Sequence, residues 1–422
     1  MSHRQRIDGL AGQTAAVLEP VVGEIPVRLE FWDGSVVGPA RGPIVRITSP
    51  AALRRLLWSP GELGAAQAYV SGEAEIEGDL DAALTTLLAA GREAGPVPPA
   101  RTARTMARAL PLLIRAGAIG RRPAPPASQA VVKGRLHSRD RDRAAISHHY
   151  DLSNEFYEQI LDPTMAYSCG YYTSDDATLQ QAQEAKLSLI CRKLGLGPGS
   201  RLLDVGCGWG SLTIHAAREF GAQVNAVTIA AEQRDFVAER VRRAGLEDLV
   251  DVQLCDYRDA AGVYDAAASV EMGEHVGAEN YPVFAGVLRD RVRPGGRVLI
   301  QQMSRTGRWP GGGPFIESFI APDMHMRPVG QTVDLLEQSG LEVRDVHALR
   351  EHYVRTVAGW IENFEAHTDR LTELVGEEVV RVWRLYLAGG AAAFRDGRMG
   401  VDQILAVRPG APHGLDREPR AW

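Results

Sequence analysis

The sequence predicts an α/β fold in which a doubly wound, Rossmann-like sheet of seven strands follows a smaller N-terminal α+β domain. Three observations carry this prediction. From residue 200 onward, short apolar runs alternate with helical segments. The first of those runs ends in an acid and a glycine-rich turn, the usual way for such a sheet to open a ligand crevice. Finally, 422 residues exceed one average domain, and a proline-bounded stretch interrupts the chain well before the first run.

In chain order, residues 26 to 90 carry short alternating segments, "VRLEFWDG", "PIVRITSP" and "AYVSGEAEIEGDL", divided by Asp-Gly, Ser-Pro and Ser-Gly turns. This is the small α+β unit, taken as 1-125. Its last part, "GPVPPARTARTMARALPLLIRAGAIGRRPAPP", predicts a helix with Arg101, Arg104, Arg108 and Arg115 beside Leu110, Leu112, Leu113 and Ile114. Such a helix suits an anionic membrane surface or, equally, packing as an interdomain helix. A linker is expected over 126-145 and a second domain over 146-422.

Within the second domain "SRLLDVGCGWG" reads as strand then glycine turn, followed by the strands "AQVNAVTI", "LVDVQLCDY", "VYDAAASV" and "GGRVLIQQM". "LEVRDVHAL" and "QILAVRPG" supply two more, the last close to the C-terminus. Between those two, 355 to 396 reads as a helical insertion carrying Trp360, Phe364, Trp383, Tyr386 and Phe394. Seven strands with a late final one fit the sheet of class I S-adenosylmethionine (SAM)-dependent methyltransferases.

Composition excludes several classes. The net charge is −6, which gives no global electrostatic case for wrapping nucleic acid, so no nucleic-acid partner is expected. The basic residues are almost all Arg, with Lys only at 133, 186 and 193. Cys169, Cys191, Cys207 and Cys255 form no C-x-x-C pair and have no His at ligand spacing, so no metal site or disulfide framework is expected. The N-terminus lacks the apolar core of a signal peptide and no apolar run is long enough to span a bilayer, which predicts a cytoplasmic protein.

The cofactor site follows from "LLDVGCGWG". Asp204 ends the strand, and Gly206, Gly208 and Gly210 let backbone approach a ligand closely. A dinucleotide fold would want G-x-G-x-x-G and an acid ending the second strand. Here the spacing is G-x-G-x-G and that strand ends "AVTIAAEQ", leaving Thr228 and Gln233 as ribose partners. An acid in the first turn suits an amino-acid ammonium better than a pyrophosphate, which favours SAM over NAD. Asp256 and Tyr257, in "LCDYRD", sit where an adenine is held.

"HHYDLSNEFYEQILDPTMAYSCGYY", "LLDVGCGWG", "AVTIAAEQ", "DYRD" and "EMGEHVGAENY" occur in that order. Together they resemble the cyclopropane-fatty-acyl-phospholipid synthases and mycolic acid cyclopropane synthases over about residues 146 to 422, and the region before 125 resembles the extra N-terminal domain of the phospholipid-acting members. The resemblance implies transfer of the SAM methyl to a cis double bond in an acyl chain. It places Tyr167 and Ser168 at the cofactor with Gly206, Gly208, Thr228 and Gln233, and puts Cys169, Glu274 and Tyr353 where the family surrounds a bound bicarbonate.

An alkene needs no base to attack a sulfonium methyl, so Cys169 is expected in the pocket wall with no covalent bond to substrate. The pocket has instead to stabilise a carbocation and exclude water. The faces of Tyr167, Tyr171, Tyr172 and Tyr353 are candidates for the first task, at about 0.5–2 kcal/mol per contact. A base is needed only afterwards, and Glu274, or an anion it holds, is the expected acceptor. The neighbouring His275 reads as structural.

Two departures from the resembled pattern bear on the product. Where cyclopropane synthases read L-H-T-I, this chain has Leu299-Ile300-Gln301-Gln302-Met303, with Gln301 in place of the histidine, and a neutral amide cannot shuttle a proton. Glu271 stands where a small residue is usual. These departures resemble the actinobacterial fatty acid methyltransferases that form 10-methylene chains from oleoyl phospholipid. Reduction to a methyl branch would need a separate reductase partner, since no flavin or nicotinamide site is evident. The reading is therefore a C-methyltransferase peripherally associated with the inner face of a phospholipid membrane, with bicarbonate and an oligomeric state left open. A cyclopropane synthase is the nearest alternative. A nucleic-acid methyltransferase and an inactive lipid carrier are the rivals from other classes.

Overall fold

The computed structural model describes residues 9–95, 98–130, 152–306 and 311–415. Most of the expected linker, 131 to 145, and the "HHYD" opening of the first signature lie outside the described residues. The chain divides into two compact units, Met1–Gln129 with Val375–Ala392, and Ala130–Leu374 with Ala393–Trp422.

The first unit holds a four-stranded sheet of β1 (Arg28–Phe31), β2 (Val36–Val37), β3 (Ile44–Ile47) and β4 (Ala74–Glu77), in the order β2-β1-β3-β4. Only β1 and β3 run parallel. Helices Leu10–Val22, Pro50–Trp58, Glu62–Val70, Leu80–Ala94 and Pro99–Arg115 accompany it. Of the segment "AYVSGEAEIEGDL", only Ala74–Glu77 is extended, while Ala68, Tyr69 and Val70 end a helix and are buried. Burial of three consecutive residues overrode an alternating pattern.

In helix Pro99–Arg115, Leu112 and Leu113 join the core of this unit together with Phe31, Leu53 and Ala68. Leu110 (49% exposed) and Ile114 (63% exposed) do not, and Arg104, Arg108 and Arg115 are exposed with them.

The second unit holds the seven-stranded sheet: β5 (Arg201–Val205), β6 (Gln223–Thr228), β7 (Val250–Leu254), β8 (Tyr264–Val270), β9 (Val292–Arg305), β10 (Glu342–Ala348) and β11 (Met399–Val407). The order is β10-β11-β9-β8-β5-β6-β7. Six strands run in one direction, and β11 inserts antiparallel between β9 and β10. Each segment expected to be a strand from residue 200 onward is one. The last starts earlier than its apolar run, because Met399 and Gly400 pair with Arg305 and Ser304 at the end of the long β9. Strand order reverses between β5 and β8, so the crevice at their carboxyl ends is where a ligand is expected. Apolar layers close both faces, with Leu202, Ala226 and Ile214 in one and Leu203, Val227 and Phe284 in the other.

The expected insertion is helical, as Arg350–Ala366 and Thr368–Arg395, the second broken at Gly376 (φ 81°, ψ 158°). Residues 375 to 392 of it group with the first unit, where Arg381 donates to the Tyr69 carbonyl at 3.2 Å and to Glu75 at 3.3 Å.

Candidate active site

The carboxyl ends of four parallel strands converge on one cavity. Asp204 ends β5 territory, Thr228 closes β6, Asp256 follows β7 and Glu271 follows β8. Tyr167, Ser168, Gly206, Gly208, Gln233 and Tyr257 also line it, so nine of the ten residues expected at the cofactor share a single space with Glu271.

Gly210 is the exception. It stands at the N-terminus of helix Ser211–Phe220 with φ +80°, and a Cβ there would come within 2.7 Å of Val237 Cγ1. Its glycine is required by helix packing, not by a ligand. At Gly206, φ is +78° and a Cβ would approach Met272 Cγ to 2.9 Å. Gly208 would meet nothing within 4 Å, which leaves its backbone facing open space.

Two buried charges of opposite sign face the cavity. Asp204, 2% exposed, accepts a 2.6 Å hydrogen bond from Thr213 Oγ1, and burial raises its pKa to about 6 against the pull of Thr213 and Lys186. Lys186, wholly buried, donates to Ser168 Oγ at 2.8 Å, and burial lowers its pKa while Glu271, Asp162 and Asp204 hold it up. A carboxylate and an ammonium at one end of a cavity complement the ammonium and carboxylate of an amino acid. Thr228 Oγ1 donates to Gln233 Oε1 at 2.9 Å, and both remain in the wall. Asp256 is clamped by Arg258 at 2.7 Å through both oxygens. The residues therefore fit the amino-acid end and the nucleoside of SAM.

Lys186 was missed by sequence reasoning. Its signal was being one of three lysines in an arginine-rich chain, since Lys, unlike the permanently charged Arg, shifts its pKa readily when buried.

Tyr167 and Trp209 line the cavity, and an aromatic cluster packs behind them. Tyr167 packs on Trp360 with ring centroids 5.2 Å apart and on Tyr157 at 5.8 Å, while Trp209 lies 4.2 Å from Tyr157. Tyr353 stacks on Phe394 at 4.3 Å and meets Trp360 edge-on at 5.9 Å. Tyr171 and Tyr172 do not join this wall. Tyr171 packs on His352 at 4.8 Å, and Tyr172 lies under the Arg355 guanidinium at 3.9 Å.

Cys169, Gln301 and Tyr353 are brought together, and the group at their centre is Glu271. Its Oε1 accepts from the Cys169 amide at 2.8 Å and from Gln301 Nε2 at 2.9 Å, and its Oε2 accepts from the Tyr353 hydroxyl at 2.6 Å. The Glu271 amide also donates to the Gln301 carbonyl at 2.6 Å. Burial raises the Glu271 pKa, and Tyr353, the Cys169 amide, Gln301 and Lys186 hold it down. The residue sits at φ +52°, a conformation that non-glycine side chains rarely adopt and that surrounding contacts have to impose.

The Cys169 thiol is turned to the carbonyls of Gly170 (3.2 Å) and Leu349 (3.6 Å), and burial and the charge of Glu271 push its pKa well up. A thiol kept protonated in that way is no nucleophile. What reaches the site is its amide.

Glu274 is not part of the cavity lining. It is fully buried, its Oε1 accepts from the Met303 amide at 3.4 Å and its Oε2 has no hydrogen-bond partner among the described residues. Burial and the adjacent charge of Glu271 raise its pKa to about 8, so it is largely neutral at pH 7. His275, by contrast, lines the cavity.

The sequence profile of the mycolic acid cyclopropane synthetase family matches residues 137–404. A probable fatty acid methyltransferase of Mycobacterium tuberculosis is 36% identical over 436 residues, covering 97% of each chain. A tuberculostearic acid methyltransferase of the same organism is 35% identical over 428 residues, covering 96% of this chain and 93% of its own. Among solved structures, a mycolic acid cyclopropane synthase complexed with SAH and CTAB superposes with a TM-score of 0.59 at 31% identity, covering 63% of this chain and 98% of that one. SAH is what SAM becomes on losing its methyl. With that profile spanning more than half of its length, the chain belongs to the mycolic acid cyclopropane synthetase family and is a SAM-dependent methyltransferase.

Proposed function

We propose that this enzyme adds the methyl carbon of SAM to the cis double bond of oleoyl-type phospholipid acyl chains and releases a 10-methylene-branched chain. The observation that carries the reading is the surroundings of the cofactor cavity, where Tyr167 and Trp209 line the space, Trp360 and Tyr353 pack in sequence behind Tyr167, and burial holds the thiol of Cys169 neutral. Such a wall suits a substrate that attacks without prior deprotonation and then carries positive charge.

When bound, the cofactor supplies an electrophilic methyl on a sulfonium. Asp204 and Lys186 hold its amino-acid end, Thr228 and Gln233 its ribose, and Asp256 and Tyr257 its base. The aromatic rings shield the carbocation on the acyl chain from water. A hydride shift followed by loss of a proton from the added carbon gives the methylene, whereas ring closure with the same loss gives a cyclopropane. Gln301 is fixed by Gln403 Nε2 donating to its Oε1 at 2.9 Å and moves no proton itself. This difference from the histidine of the resembled synthases supports the methylene product, and the names of relatives that span nearly the whole chain, a probable fatty acid methyltransferase and a tuberculostearic acid methyltransferase, support a fatty acyl substrate.

The substrate is reached at a membrane surface. Among the described residues no helix is long and apolar enough to cross a membrane. The first unit exposes Leu110, Ile114, Ile119 and Trp58, with Arg104, Arg108 and Arg115 on the same helix as the first two, a combination suited to anionic headgroups on the inner leaflet. Saturation to a methyl branch would fall to a separate reductase. Purified protein incubated with methyl-labelled SAM and oleoyl phospholipid vesicles should place label in the lipid fraction. A lipid fraction without label would overturn the reading.

A further inference from the structure

We propose that Glu271 is the proton acceptor of the reaction and that the chain thereby carries its own anion at the site, with no need for bicarbonate. The inference rests on the acyl-chain reading above and deepens it.

A carboxylate offers about four acceptor positions. Three of those on Glu271 are filled, by the Cys169 amide and Gln301 Nε2 on Oε1 and by the Tyr353 hydroxyl on Oε2. The remaining position is therefore on Oε2, on the residue that lines the cofactor cavity. Glu274 lacks both properties, since it does not line the cavity and is kept neutral by burial and by Glu271 itself.

The donors leave no room for a second anion. The Cys169 amide, Gln301 Nε2 and the Tyr353 hydroxyl, the donors gathered at this point, already donate to Glu271, and another negative charge beside this carboxylate would be repelled in a buried site. The φ of +52° fits the same picture, because strain at the end of β8 is tolerated where surrounding contacts fix a side chain for use.

In the step itself a C–H bond of the added carbon breaks and its electron pair forms the new carbon–carbon double bond, quenching the cation. The proton passes to Glu271 Oε2, which becomes a neutral acid and returns the proton to water as product leaves. Tyr353, Gln301 and the Cys169 amide are positioning groups that fix the carboxylate through hydrogen bonds.

The test uses the full chain, methyl-labelled SAM and oleoyl phospholipid vesicles in buffer stripped of bicarbonate. The wild-type rate should be the same with and without bicarbonate. Glu271→Gln should lose turnover by at least about 100-fold, the scale of a lost acid–base group, while an SAH thermal shift stays intact. Glu271→Gly should bind SAH and regain rate on addition of bicarbonate or formate. This rescue also decides the matter should the Gln variant misfold. A wild type that stops without bicarbonate, a Gln variant keeping more than a tenth of the rate, or a folded Gly variant that added anions leave silent would each overturn the proposal. If the wild type itself labels no lipid, it is the acyl-chain reading that fails.

Discussion

Asp204 and Glu271 are both buried carboxylates in one cavity wall, yet their surroundings prepare them for different work. Glu271 accepts three hydrogen bonds, whereas the one side-chain donor recorded on Asp204 is Thr213, and its pKa rises to about 6. In the proposed binding mode the cofactor brings an ammonium to Asp204 and favours its ionised form. Below about pH 6 that ionisation has to expel a proton, so SAH affinity should fall by up to tenfold per pH unit there and level off above it. Calorimetric titration between pH 5 and 7.5 checks this, and Asp204→Asn should bind weakly with no such slope. A flat wild-type profile would show that Asp204 does not meet the ammonium. Much of this site was legible as residue types at strand ends. Glu271 was visible only as an acid where the resembled pattern has a small residue, because hydrogen bonds gathered from Cys169, Gln301 and Tyr353 span up to 102 positions of sequence.

At the scale of elements, the parallel strands were legible because burial on both faces forces near-continuous apolar runs. Segments with a mixed pattern were not. Tyr69 and Val70 read as strand but end a helix, and the start of β11 is dictated by pairing with β9, not by its own residues. Helix Pro99–Arg115 was legible as amphipathic, with the two readings of membrane surface and protein packing both left standing. The structure buries Leu112 and Leu113 in the core of the first unit and leaves Leu110 and Ile114 exposed, the pair that the membrane reading would use. Replacing both exposed residues, Leu110→Glu with Ile114→Glu, should leave folding intact and weaken binding to anionic vesicles by at least about tenfold, given about 1.5–3 kcal/mol for each large apolar side chain buried. Vesicle sedimentation measures it. Undiminished binding would place the docking face elsewhere.

For the whole molecule, length and the change of pattern near residue 200 predict two continuous domains, whereas the two compact units of the structure are each made of two stretches of chain. The return of residues 375 to 392 to the first unit was not foreseeable, because Arg381 with Tyr69 and Glu75 is a contact across more than 300 positions. The proposed chemistry nevertheless draws on the second unit, where the cofactor cavity and Glu271 are assembled at strand ends and the aromatic residues come from turns and the helix Arg350–Ala366. Its central claim concerns the fate of one carbon. Carbon-13 methyl-labelled SAM, oleoyl phospholipid vesicles and the purified enzyme, followed by proton and carbon NMR of the extracted lipid, follow that carbon directly. The account predicts label in an exocyclic olefinic CH₂, and label in an upfield ring CH₂, or none in the lipid, would contradict it.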